Sequence, residues 1–211
     1  MPARVEGVIV DFGGVLAQAP SAEALARLGA AVGVDGNEFA DAWLRHRLEY
    51  DLGTLDAAAY WRLVGARTFE PEALERILVE DAACWSVSNQ PMVEWLHALK
   101  SAGLRLALLS NMPRDVWARL RAGLGWLELC AVVTLSYEHR MAKPDPAIYA
   151  QCLRAFGLPA RRVLFVDDRP ENVEAAQDLG LQTVLFTDVA PFRNELATRF
   201  DGALPLPEPA E

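Results

Sequence analysis

The sequence predicts an α/β fold, a doubly wound parallel sheet with a block of helices inserted after its first strand. Three observations predict it. Five short runs are apolar almost throughout: Val8-Ile9-Val10, Leu106-Ala107-Leu108-Leu109, Ala131-Val132-Val133-Thr134-Leu135, Val163-Leu164-Phe165-Val166 and Thr183-Val184-Leu185-Phe186. Strands of that kind are buried on both faces, as in a parallel sheet covered by helices. Helical patterns separate the later runs, and the long stretch between Asp11 and the second run contains no convincing strand.

Taken in order, Val8–Val10 is the first strand. Helices are then expected over Ser21–Val32, Asn37–Glu49, Thr54–Arg67 and Glu72–Ala83, punctuated by Gly33, Gly36, Gly53 and Pro71. Leu25, Leu28 and Val32 keep helical spacing, as do Leu44 and Leu48. The insertion therefore runs from about Gln18 to Asn89, dividing the chain into a core of residues 1–17 and 90–211 and a helical cap of residues 18–89. Pro91–Ala102 precedes the second strand and Pro113–Gly123 the third. Asp145-Pro146 opens a helix to Phe156, with Asp as N-cap and Pro in the first turn. Pro170 opens another that ends near Gly180. The tail from Leu204 to Glu211, with three prolines, is expected to fray.

Hydrophobic residues make up 52% of the 211, enough to fill one core with a modest insertion. The formal net charge of −9 disfavours nucleic acid and anionic membrane surfaces as partners. No apolar run reaches the ~18 residues of a membrane span, and Met1–Glu6 lacks the basic start of a signal peptide, so a cytoplasmic protein is expected. Cys84, Cys130 and Cys152 are odd in number and form no Cys-x-x-Cys pair, which suggests neither zinc nor a disulfide framework.

Polar clusters end or follow four of the runs: Asp11 after the first, Ser110-Asn111 after the second, Lys143-Pro144 some way beyond the third, and Asp167-Asp168 after the fourth. Open α/β sheets bind ligands outside the carboxyl ends of their strands. The residue types fit phosphoryl transfer. A carboxylate can attack phosphorus and split one hard step into two. Asp11, Asp167 and Asp168 around one point suit a hard cation such as Mg²⁺. Lys143 offers a fixed positive charge, and Ser110 can hydrogen-bond the transferring oxygens. Asn111 is read either as a phosphate contact or as an N-cap.

Asp11-Phe12-Gly13-Gly14-Val15, Ser110-Asn111, Lys143-Pro144 and Asp167-Asp168 resemble, in order, the four motifs of the haloacid dehalogenase superfamily. The resemblance covers roughly Val5 to Ala190, and the helical insertion resembles that family's cap in its first position. It implies a Rossmann-like core, Asp11 as nucleophile, Ser110 and Lys143 as catalytic holders of the phosphoryl group, and a small phosphorylated metabolite as substrate. It also implies Mg²⁺ bound by Asp11, the backbone carbonyl of Gly13 and Asp168, with Asp167 acting through water or orienting the site. Arg140-Met141-Ala142-Lys143-Pro144 and Asn172 resemble the branch that holds bacterial sugar-phosphate phosphatases and the phosphatase-like domain of soluble epoxide hydrolases.

One position departs from the family pattern. Phosphatases of the family carry a second Asp two residues after the nucleophile, and Gly13 stands there. Losing a general acid/base costs about 10²–10⁴ in rate. Three readings follow: a proton from another group, a substrate with a good leaving group, or a silent phosphate-binding relative. The first two keep an enzyme, with slow hydrolysis. A metal-free 2-haloacid dehalogenase is a further alternative, opposed by the Asp167-Asp168 pair. A receiver domain is opposed by the order of the motifs.

His46, His97 and His139 do not cluster. His46 is read as a solvated cap residue, with replacement of the missing acid as its sharper alternative. Trp43, Trp61 and Trp85 are read as cap core, with sugar stacking as the alternative. Arg114 and Arg169 either tune the pocket or lie on the surface. The substrate and the choice between monomer and homodimer are not specified by the sequence.

Overall fold

The computed structural model describes residues 4–34, 36–200 and 202–209. Strand β1 (Gly7–Val10) is followed by five helices: α1 (Ala22–Val32), α2 (Gly36–Arg45), α3 (Arg47–Asp51), α4 (Ala57–Val64) and α5 (Pro71–Ala83). The chain continues through α6 (Gln90–Ser101), β2 (Arg105–Ser110), α7 (Arg114–Leu120), β3 (Cys130–Leu135), α8 (Ser136–His139) and α9 (Pro146–Phe156). It ends with β4 (Val163–Asp167), α10 (Pro170–Asp178), β5 (Gln182–Leu185) and α11 (Val189–Phe200).

The strands form one parallel sheet in the order β3-β2-β1-β4-β5. Every residue of β1 and β4 is buried. Alternate side chains feed opposite layers, as strand pleating requires. Val8, Val10, Leu106, Leu108, Leu164 and Val166 share a core with Trp95 and Leu96 of α6, Val116 of α7, and Phe192 and Leu196 of α11. Ile9, Ala107, Leu109 and Phe165 face the other way, onto Ile148, Tyr149 and Phe156 of α9 and Ala176 of α10. At ~25 cal/mol per Å² of apolar surface removed from water, these two layers supply the main drive to fold.

Among the described residues, the insertion contains helices and no named strand. It has its own core, in which Leu28, Tyr60, Trp61 and Ile77 are essentially fully buried. Two connections join it to the sheet and run side by side: Gln18 N–H donates to Val87 C=O, and Asn89 N–H to Leu16 C=O, both at 2.8 Å. Ser21 and Asp56 cap α1 and α4 by accepting from Ala24 and Ala59 N–H.

Several features differ from the expectations. The helix expected over Asn37–Glu49 is broken at His46 into α2 and α3. The carbonyl of Trp43, which Arg47 N–H would take in a continuous helix, accepts the Tyr60 hydroxyl instead at 2.5 Å. The helix expected over Thr54–Arg67 is trimmed to α4, because Asp56 caps it and the turn ends at Gly65. α8 and α11 have no counterpart in the expectations, although Val189, Phe192, Leu196 and Phe200 keep helical spacing. The tail does not fray as expected. Leu204 and Pro207 are buried, Pro205 C=O accepts Trp95 Nε1–H at 2.8 Å, and Arg193 donates to Pro207 C=O. Residues 210 and 211 of that expectation lie outside the described residues.

Candidate active site

Strand register assembles the site. Val10 pairs with Leu108 on β2 and Val166 on β4, so Asp11 emerges level with Leu109 and Asp167 at the carboxyl edge of the sheet. Ser110 ends the neighbouring strand. Asp11, Gly13, Ser110, Asn111, Lys143 and Asp168 line one pocket, together with Arg169 and Asn172 from the opening of α10. Asp167 lies beneath it, fully buried.

Lys143 is the centre of this constellation. Its Nζ sits 2.8 Å from Asp11 Oδ1 and 2.6 Å from Asp167 Oδ2, with its side chain 1% exposed. The lysine comes from a loop far from either strand, and Asn111 holds that loop in place. Asn111 Oδ1 accepts Lys143 N–H at 2.8 Å, and Asn111 Nδ2 donates to Lys143 C=O at 2.9 Å. The structure thus corrects the N-cap reading of Asn111, since α7 is capped by Pro113 without a side-chain hydrogen bond. Asp167 is fixed in turn, its Oδ1 accepting from Arg169 N–H and from Asn172 Nδ2 at 2.9 Å each. The Ser110 hydroxyl is buried, with a long 3.5 Å contact to Asn111 C=O.

The charges are unbalanced. Burial pushes the Asp11 carboxyl up to about 7; Lys143 pulls it down while Asp167 adds to the rise. Burial also works against the Lys143 ammonium, but the charges of Asp11 and Asp167 outweigh it and hold that group above the usual lysine range. Asp168 is raised by burial and by Asp167. Oxygens of Asp11, Asp167 and Asp168 all lie within 4.8 Å of one another. One ammonium faces three carboxylates, all hard oxygen donors, and a Mg²⁺ ion answers both the charge excess and the ligand chemistry. Both protein contacts to Asp11, from Lys143 Nζ and from Phe12 N–H at 2.7 Å, fall on Oδ1. Asp11 Oδ2 has no hydrogen-bond partner among the described residues.

Gly14 makes the approach of Asp168 possible. Its φ is +75°, in the region that favours glycine, and a Cβ there would overlap Asp168 Oδ2. Gly13 is constrained differently. A Cβ on Gly13 would stand 2.8 Å from Cζ3 of Trp85, so the indole fills the space above it.

The insertion closes the pocket with Trp43, Leu44, Arg47, Asp51 and Trp85. Of the tryptophans expected in the cap core, Trp61 is there at 0% exposure, whereas Trp43 and Trp85 also form the pocket wall, stacked at 6.4 Å. Arg47 Nε donates to Asp51 Oδ1 at 3.0 Å, its Nη1 donates to Asp81 Oδ1 at 3.2 Å, and its guanidinium lies over the Trp43 ring. Sequence reasoning missed this ionic cluster; its one local signal is the i, i+4 spacing of Arg47 and Asp51. His46 is not brought to the pocket and pairs loosely with Glu49 at 3.5 Å. His97 and His139 are also absent from its lining, and Arg114 packs over Tyr137 instead.

The parallel sheet thus gathers three aspartates, a buried lysine and a serine at its carboxyl edge, beneath the helical insertion. A family model described as haloacid dehalogenase-like hydrolase matches residues 5–180, and the chain belongs to that family. The chain is 31% identical over 160 residues to bifunctional epoxide hydrolase 2 of Rattus norvegicus, a match spanning 69% of this chain and 27% of that protein. It is 28% identical over 172 residues to a phosphoglycolate phosphatase of Rhodospirillum rubrum, covering 70% and 71% of the two chains. A solved haloacid dehalogenase family enzyme from Bacteroides thetaiotaomicron superposes with a TM-score of 0.75 at 20% identity, over 88% of this chain and 95% of that one. An Asp-to-Ala variant of that enzyme, solved with magnesium and inorganic phosphate, gives a TM-score of 0.72 at 21% identity, over 87% and 94%. No helix among the described residues is long and apolar enough to cross a membrane.

Proposed function

We propose that this hydrolase cleaves a small phosphomonoester in the cytoplasm, sugar phosphates among the candidates, through an aspartyl-phosphate on Asp11 and with Mg²⁺. The observation that carries the reading is the lysine bridge: Lys143 joins the carboxylates of Asp11 and Asp167 at 2.8 and 2.6 Å, at the floor of one pocket. Phosphatases among the relatives, and the magnesium and phosphate in the Bacteroides thetaiotaomicron complex, support it.

Asp11 attacks phosphorus while Lys143 and the Ser110 hydroxyl hold the equatorial oxygens. Asn111 acts through the Lys143 backbone, and Asp167 and Asn172 fix the lysine from below. Asp11, Asp168 and the carbonyl of Gly13 would hold the cation directly, with Asp167, whose oxygens are already engaged, behind them. Bound there, Mg²⁺ supplies charge neutralisation for the phosphoryl group. Residues 18–89 act as a cap that excludes water. Turnover is slow, because Gly13 offers no acid/base.

Phosphate release from a panel of phosphomonoesters, with Mg²⁺ and with chelator, tests this. Release that needs Mg²⁺ and falls by at least ~10³-fold in Asp11→Asn is expected for loss of a nucleophile. Gly13 also favours a second reading, a silent phosphate-binding relative. Retained phosphate binding with no release above Asp11→Asn would support that one. Chloride released from 2-chloropropionate without metal would instead identify a dehalogenase.

A further inference from the structure

From the place of Asp51 in the pocket wall we infer that its carboxyl is the general acid and base of this hydrolase, serving the leaving oxygen from the cap side where residue 13 cannot. This rests on Asp11 being a phosphoryl-accepting nucleophile. Attacking and leaving oxygens lie roughly in line at phosphorus. Asp11 attacks from the edge of the sheet, so the ester oxygen departs toward the insertion, which contributes Trp43, Leu44, Arg47, Asp51 and Trp85 to the wall. Asp51 is the one group among these that can give up and regain a proton, since an arginine stays protonated and an indole N–H only donates. On the sheet side, Lys143 is committed to Asp11 and Asp167, and Asp168 belongs to the acid cluster that suits the cation. The lining contains no His, Tyr or Cys. Residue 13 has no room for an acid, because a Cβ there would stand 2.8 Å from Trp85 Cζ3.

The fold holds Asp51 for the task. It closes α3, and its carbonyl accepts the Ser136 hydroxyl at 2.5 Å, while Ser136 accepts from Met112 N–H at 2.9 Å. The residue is thereby tied to the chain that follows Ser110 and Asn111. Arg47 Nε donates to Asp51 Oδ1 at 3.0 Å, and Oδ2 has no hydrogen-bond partner among the described residues. Burial raises the carboxyl; Arg47 from the cap and Arg169 from the core oppose the rise, Asp81 adds to it, and it stands at about 6. A general acid serves best with a pKa near the working pH. In the first step the Asp11–P bond forms, the ester P–O bond breaks, and its electron pair leaves on the ester oxygen, which takes the Asp51 proton. Arg47 then steadies the Asp51 carboxylate. In the second step Asp51 takes a proton from the water that attacks phosphorus, the Asp11–P bond breaks, and inorganic phosphate departs. Most of the enzyme at pH 7.5 lacks the Asp51 proton, which keeps turnover slow.

The test compares kcat/KM for benzyl and 4-nitrophenyl phosphate with Mg²⁺, with Asp11→Asn as blank. 4-Nitrophenolate departs as a stable anion and needs no proton, whereas the benzyl alkoxide does. A general acid contributes about 10²–10⁴-fold, so Asp51→Asn is expected to lower benzyl phosphate turnover by at least ~10²-fold and 4-nitrophenyl phosphate by less than about tenfold. Equal losses for the two esters, or none, would overturn the inference and leave the Asp11 reading standing. No turnover of either ester above the blank would sink that reading and this inference with it. Asp81→Asn removes the other acid on Arg47 and is expected to keep the ratio of the two esters within about tenfold of wild type. A shift as large as that of Asp51→Asn would show that Asp51 works only through Arg47, and would remove it as the donor. A second measurement needs no variant. Wild-type kcat/KM for benzyl phosphate is expected to fall about tenfold per pH unit above about 6, with no such fall for 4-nitrophenyl phosphate. Matching profiles for the two esters would also overturn the inference.

Discussion

At the scale of single residues, Lys143 decides the site. Its ammonium is almost fully buried between Asp11 and Asp167. Removing one partner of a buried ion pair leaves uncompensated charge and costs about 3–5 kcal/mol. Lys143→Met is therefore expected to lower the unfolding free energy, measured by urea titration, by an amount in that range and to reduce phosphate release by at least ~10²-fold. A variant with wild-type stability would show that the two carboxylates do not depend on the lysine. Asp11, Ser110, Asp167 and Asp168 were legible in the sequence because each ends or follows an apolar run and a parallel sheet aligns its carboxyl ends, whereas Lys143, in a loop beyond β3 and α8, was legible only through the Lys-Pro motif. The tasks of Asn111 and Asn172 were not, because each acts on a backbone or carboxylate brought in from another segment. Arg47 and Trp85 were hidden for a similar reason. Their places depend on how the insertion folds back over the sheet, which no local spacing encodes.

At the scale of elements, the break between α2 and α3 has the largest consequence for the pocket. Hydrophobic spacing alone predicts one continuous helix there, because Leu44 and Leu48 keep the period across His46. Both leucines are well exposed, at 62% and 53%, so this periodicity reflects no buried face. The cap core is filled by Phe39, Trp43, Tyr50 and Tyr60 instead. The Tyr60 hydroxyl, by taking the Trp43 carbonyl, stabilises the interruption that turns Arg47 toward Asp51, Asp81 and the pocket. Tyr60→Phe leaves that carbonyl without this donor in a buried setting, at a cost of about 1–3 kcal/mol. Thermal unfolding is expected to register that loss. KM for the best phosphomonoester is expected to rise more than kcat falls, since Arg47 belongs to the wall and not to the reacting centre. Unchanged unfolding and kinetics in the Phe variant would mean that the break is held elsewhere. The strands were easier to read than these helices, because burial on both faces, complete in β1 and β4 and partial in the edge strands β3 and β5, leaves a continuous apolar signature.

At the scale of the whole molecule, cap and sheet meet through polar contacts as well as packing. Ser136 on α8 donates to the carbonyl of Asp51 at 2.5 Å and accepts from Met112 N–H at 2.9 Å, joining the cap to the loop after β2. Tyr50 reaches Asp115 on α7 at 3.4 Å. Beneath these contacts, Asp51 and Asp81 share one cation, Arg47. Burial raises the Asp51 carboxyl from its ordinary 3.8 to about 6. The Arg47 guanidinium offsets only part of that rise, Asp81 adds to it, and Arg169 opposes it from the core. Burial raises Asp81 in the same direction. Because the folded chain keeps the Asp51 proton to a higher pH than the unfolded chain does, it binds more protons between these values, and stability falls as pH rises through that interval. The penalty is absent below about 3.8 and complete above about 6. Each tenfold weakening of a carboxyl's acidity on folding is worth ~1.4 kcal/mol, so the penalty amounts to about 3 kcal/mol from Asp51 alone. Urea unfolding in chelator should therefore give a higher midpoint near pH 5 than near pH 7.5. Asp51→Asn should reduce that slope, since an amide does not titrate, and leave the part that comes from Asp11, whose carboxyl burial raises to about 7. A wild-type midpoint that climbs with pH would overturn both contributions, and an Asn variant with the same slope would show that Asp51 contributes none of it.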